Sequence, residues 1–106
     1  MLNLMFQTLL NSIDSRQAKV GVIGLGYVGL PLIQAFVSAG YHTLGFDVDL
    51  SKVDQLLSGK SYISHISAEW ISSSIAEETF VPTGDMNRLS EVDVILICVP
   101  TPLDSD

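Results

Sequence analysis

Cationic side chains are scarce in this sequence. Five Lys and Arg stand against twelve Asp and Glu over 106 residues, for a net charge of −7. No Lys/Arg cluster occurs, which argues against nucleic acid or an anionic membrane surface as a partner. Cysteine is nearly absent as well. The lone Cys98 excludes an internal disulfide framework and a Cys-rich zinc site, and it fits a reducing compartment. Two histidines, His42 and His65, lie far apart with no third ligand in view, so no metal is expected. The opening residues lack a basic n-region and a small-residue cleavage site, and their apolar stretch is too short to span a bilayer. No signal peptide and no membrane partner are expected, and a cytoplasmic location follows.

Apolar residues, by contrast, are plentiful: 47% of the chain is hydrophobic and 16% charged, enough for a packed core and too apolar for disorder. Leu2, Met5, Phe6, Leu9, Leu10 and Ile13 recur at helical spacing, so residues 1–18 read as an amphipathic helical extension. From Lys19 onward, strand-length and helix-length patterns alternate. "KVGVIG" reads as a strand. Val28, Leu32, Ile33, Phe36 and Val37 follow a helical period that Gly40 closes, with Pro31 in the tolerant first turn. "YHTLGFD" is a second strand, and "LSKVDQLLSG" a second helix stopped by glycine. "KSYISHI" reads as an irregular connection, and "SAEWISSSIAEE" as a helix capped by Ser67, with Trp70, Ile66, Ile71 and Ile75 as its core face.

Thr79–Thr83 reads as a third strand, with Pro82 marking an edge. "VDVILICVP", Val92–Pro100, is the most apolar run and predicts a strand buried on both faces, with Cys98 an inert core residue. Such alternation indicates an α/β fold, a Rossmann-like doubly wound parallel sheet cut short after about four strands.

The stretch "GLGYVG" supplies Gly24, Gly26 and Gly29 in the G-x-G-x-x-G spacing. That spacing alone is weak evidence, but here a strand precedes it, a helix follows, and an acid ends the next strand. Gly24 suits the tight turn, Gly26 leaves room for a pyrophosphate against the backbone, and Gly29 lets the helix lie close to the sheet. Amides of the first helical turn and the helix dipole then favour an anion without cationic side chains. Asp47, 23 positions after Gly24, is placed to accept from an adenosine ribose hydroxyl and to repel a 2′-phosphate, which favours NAD over NADP. The competing reading makes the glycines simple turn formers and Asp47 a helix cap.

Together, "VGVIGLGYVGLPL", "GFDVD" and "ICVPTPL" resemble the N-terminal domain of the UDP-glucose/GDP-mannose dehydrogenase family, from Lys19 to about Leu103. "GKSYISHI" is similar to the branch that oxidises UDP-N-acetylhexosamines. The resemblance implies NAD as cofactor, held by Gly24, Leu25, Gly26, Tyr27, Val28 and Gly29, by Asp47, by Lys52 at the adenosine end, and by Thr101 where the chain passes the cofactor. It further implies a four-electron oxidation of a UDP-sugar C6 alcohol to a carboxylate with two NAD, serving surface polysaccharide synthesis, in a homo-oligomer at full length. In that family a cysteine beyond the end of this chain traps the aldehyde. Residues 19–106 therefore read as a partial NAD-binding domain, which binds NAD without catalysis and meets a UDP-sugar only in the complete enzyme. Two alternatives stay open: a β-hydroxyacid dehydrogenase-type NAD domain, whose G-L-G-x-x-G-x-P pattern is close, and a dinucleotide-binding module without chemistry.

Overall fold

The computed structural model describes residues 17–98. The expected helical extension at the N-terminus and Thr101 near the C-terminus lie outside the described residues.

Four strands alternate with helices as the periodicities require. Strand β1 (Lys19–Ile23) leads into α1 (Gly29–Ser38), then β2 (His42–Phe46), α2 (Leu50–Leu57) and α3 (Ala68–Ala76). Strand β3 (Phe80–Thr83), a 3-10 turn at Met86–Glu91 and β4 (Val94–Ile97) complete the described chain. Both glycine stops behave as expected. Gly40 and Gly59 take positive φ, 100° and 77°, just past the ends of α1 and α2, where a side chain would be strained.

All strand pairs are parallel, in the order β3-β2-β1-β4. The first three strands are laid down in one direction from β1, and β4 then returns to the other side of β1. That reversal opens a crevice at the carboxyl ends of β1 and β4, the position where parallel α/β sheets take ligands. β3 lies at the edge, and Pro82 in it pairs by register with Gly45 of β2 without needing an outward N–H.

The register also sorts the two faces, since paired residues point the same way. Val20, Val22, Phe80 and Leu96 face the helices. With Leu30 and Ile33 of α1, Val53 and Leu56 of α2 and Ile71 of α3, they form a single apolar core. Ile63 and Ile66, from the irregular connection, are buried in the same core, and Trp70 stacks on Phe80 with centroids 6.0 Å apart.

The opposite face behaves differently, and one expectation fails there. β4 is not buried on both faces: Ile95 and Ile97 are 47% and 70% exposed. An unbroken apolar run records that a strand is meant to be covered twice, yet the core that α1, α2 and α3 build lies on the face β4 shares with Val20 and Val22, while the opposite face is buried at Leu44 and Phe46 of β2 and not at β4. Cys98 is likewise no sealed core residue. It follows the end of β4, half-buried, with one side against the core and the other on the crevice.

Candidate functional site

Site geometry starts with the turn out of β1. Gly24 adopts φ 108°, a left-handed conformation, and its amide donates to the Phe46 carbonyl at the end of β2 (2.7 Å). The chain thus leaves β1 while still tied to β2. Gly29 begins α1 directly behind this turn, where an added Cβ would overlap the Gly24 carbonyl oxygen. A side chain there would push the helix off the strand. Gly26 is the opposite case: a Cβ built on it meets nothing within 4 Å. The space above Gly26 is open, so the backbone itself forms a wall of the crevice.

That crevice has a volume of about 750 Å3. The turn residues Gly24, Leu25, Gly26, Tyr27 and Val28 line one side, and Asp47, Val48 and Lys52 another. Ile97 and Cys98 at the end of β4 close the third. Of the expected site residues, only Gly29, which supports the turn from behind, is not in the lining, and Thr101 lies outside the described residues. Asp47 and Lys52 are the charged residues of the lining, and Tyr27 is 81% exposed at its rim. His65 is exposed and does not reach the crevice. Among the described residues no group of three or more metal-ligating side chains occurs.

Helix caps separate α1 from its neighbours. Asp49 caps α2 by accepting from the Ser51 amide, Ser67 caps α3 by accepting from Trp70, and Asp85 caps the 3-10 turn. α1 has no side-chain cap and no acid in its first turn. The amides of Gly26, Tyr27, Val28 and Gly29 donate to no acceptor among the described residues. Orphan amides at a helix start call for an acceptor, and here Gly26, Tyr27 and Val28 line a crevice while Gly29 stands behind them. The reading of Asp47 as a helix cap is excluded, because Asp49 fills that role.

Asp47 instead braces the turn. Its Oδ2 accepts from the Leu25 amide (2.9 Å) and its Oδ1 from the Asp49 amide (2.8 Å). Each carboxylate oxygen has two acceptor sites, so one on each remains for a ligand hydroxyl. The Leu25 amide is consequently engaged within the protein, and the Leu25 side chain is fully buried. What Leu25 offers a ligand is the placement of its neighbours.

Sequence reasoning missed Tyr62. Its hydroxyl donates to the Leu25 carbonyl (2.5 Å) from the connection that follows α2. Burial, with the Asp47 and Asp49 carboxylates adding to it, pushes the phenol well above the usual tyrosine range. Nothing in the local pattern of "KSYISHI" could pair it with a residue 37 positions away.

Across residues 18–106 the sequence matches the NAD binding domain of the UDP-glucose/GDP-mannose dehydrogenase family. It is similar to the UDP-N-acetyl-D-mannosamine dehydrogenase of Methanococcus aeolicus, at 34% identity over 89 residues, 83% of this chain and 20% of that protein. The UDP-N-acetyl-D-mannosamine dehydrogenase of Escherichia coli K12 is also 34% identical, over 84% of this chain and 21% of its own. Among solved structures, the UDP-D-ManNAc dehydrogenase from Pyrococcus horikoshii superposes with a TM-score of 0.75 at 30% identity, covering 81% of this chain and 21% of that one. The chain spans about a fifth of the length of the curated relatives it matches.

Proposed function

The chain belongs to the UDP-glucose/GDP-mannose dehydrogenase family, as its NAD-binding domain, and from that premise we propose how residues 19–106 hold the cofactor. The amides of Gly26, Tyr27, Val28 and Gly29 take the pyrophosphate, with the positive end of α1 behind them. Asp47 accepts from the adenosine ribose through the acceptor sites its two amide bonds leave free. Lys52 serves the adenosine end, and Thr101, outside the described residues, is assigned a cofactor contact on the family resemblance alone. One observation carries this reading: the residues of three unengaged amides, Gly26, Tyr27 and Val28, and a braced carboxylate line a crevice that the missing Gly26 side chain leaves open. Bound NAD supplies a hydride acceptor; the chain supplies grip, orientation and apolar walls.

For the whole protein we propose oxidation of the C6 alcohol of a UDP-sugar to a carboxylate, with two hydrides passed to two NAD. The names of the relatives and the "SYISHI" resemblance support a UDP-N-acetylhexosamine as substrate. Its product then serves surface polysaccharide synthesis, and the full-length protein works in the cytoplasm as a homo-oligomer.

Calorimetric titration of the chain with NAD and NADP tests the site. NAD is expected to bind. A 2′-phosphate beside Asp47 meets like charge, which costs several kcal/mol, so NADP is expected at least about tenfold weaker. Gly26→Val is expected to abolish NAD binding while the circular dichroism spectrum is kept, since its side chain would enter open space and not the core. Equal or tighter NADP binding overturns the role of Asp47, and unchanged affinity in the Gly26 variant reduces the loop to a turn.

A further inference from the structure

The contact between Tyr62 and the glycine turn has a geometric consequence for the cofactor site. A carbonyl and the amide that follows it belong to one planar trans peptide, so C=O and N–H point in opposite directions. Tyr62 holds the Leu25 carbonyl, and the amide in that peptide is Gly26, one of the unengaged donors at the crevice. The preceding peptide, between Gly24 and Leu25, is held by Asp47 through the Leu25 amide. Two consecutive peptides of the turn are therefore each pinned by a side chain from a different, later segment. The Leu25 side chain, buried in the core, anchors the residue between them.

We propose that Tyr62 is a positioning residue of the nucleotide site, whose hydroxyl aims the Gly26 amide into the crevice by holding the Leu25 carbonyl. The inference rests on the cofactor reading above and extends it to a segment remote in sequence. Glycine turns are conformationally permissive, and a turn of Gly24, Leu25 and Gly26 left to itself populates many orientations of that peptide. Fixing it beforehand removes an ordering cost from ligand binding. The phenol fits the task because only its neutral form can donate. Its half-buried place beside Asp47 and Asp49 keeps it neutral.

Tyr62→Phe removes the hydroxyl and keeps the ring. Calorimetry on the full 106-residue chain is expected to show NAD affinity falling about threefold to tenfold, the loss of one well-placed hydrogen bond. A general loosening could also lower affinity, so the second readout is spectroscopic. In the 15N-labelled wild type, saturation with NAD is expected to move the Gly26 amide proton downfield as an anion accepts from it. The Tyr62→Phe chain is expected to show a smaller shift at the same saturation.

Equal affinity and an equal Gly26 shift overturn the positioning role while leaving the cofactor reading intact. No NAD binding by the wild type overturns both. Weaker binding with an unchanged Gly26 shift assigns Tyr62 to stability alone and also overturns the proposal. One measurement needs no variant. In the free wild type the Tyr62 hydroxyl proton is expected as a slowly exchanging signal, and exchange at the solvent rate overturns the inference even where Tyr62→Phe fails to fold.

Discussion

A carboxylate at the end of a parallel strand serves a ligand only when something other than the ligand holds it in place. Asp47 meets that condition through two backbone amides, from Leu25 and Asp49. The glycines divide their labour just as sharply. Gly29 has no room for a side chain, and Gly26 has room that nothing in the described chain uses. Tyr62 adds a titratable element to this set. Its folded phenol is raised above the ordinary value of 10.0, by burial first and by Asp47 and Asp49 next. A raised folded pKa means that the stabilisation is whole below the unfolded value and is lost as pH climbs through the folded one. The chain is expected to lose stability as pH rises past about 10, in denaturant melts. Tyr62→Phe is expected to remove that part of the alkaline slope, along with the late component of the titration followed at 295 nm. An identical slope in both proteins would show the phenol to be solvated.

Among the elements, capping separates helices that need only the fold from the one that needs a ligand. Asp49 is held below the usual carboxylate range, chiefly by the Ser51 hydroxyl and then by the Ser51 amide, so its cap on α2 persists until acid protonates it. Ser67 caps α3 by accepting from the Trp70 amide at 3.0 Å. Replacing Ser67 by Ala is expected to cost about 1 kcal/mol, a fall in Tm of roughly 4–8 °C for a domain of this size. NAD affinity should be unchanged, because α3 does not reach the crevice. A melting point unmoved within error would show that the cap contributes nothing. Most element positions were legible from pattern: β1, α1, β2, α2, α3 and β3 all fall inside the stretches their periodicities marked. Burial of β4 was not legible. An apolar run states what a strand prefers to face, and only the packed chain states what it does face.

For the molecule as a whole, membership of the dehydrogenase family removes the β-hydroxyacid alternative that the glycine pattern left open. Scarcity of cationic side chains is reconciled with an anionic ligand through uncapped amides and a helix dipole, so net charge alone misleads about partners here. Cys98, the sole cysteine of the chain, sits half-buried against the core at the crevice edge, and it is not the position that the family resemblance assigns to the aldehyde-trapping cysteine. The 106-residue polypeptide is therefore expected to bind NAD yet form no NADH when given UDP-N-acetylglucosamine or UDP-N-acetylmannosamine, followed at 340 nm. Sustained NADH production would place a catalytic centre within this chain.

Local chemistry in the sequence by itself determined the alternation of strands and helices, the separate duties of Gly24, Gly26 and Gly29, and the acid at the end of β2. Those depend on neighbours a few residues away and on backbone geometry, which residue type dictates directly. Tertiary structure alone decided that Tyr62 grips the Leu25 peptide, that Asp47 braces the turn rather than capping a helix, and that Ile95 and Ile97 stand uncovered. Each of these depends on which distant segments meet in space, and that outcome is set by packing around a shared core, which no spacing along the chain encodes.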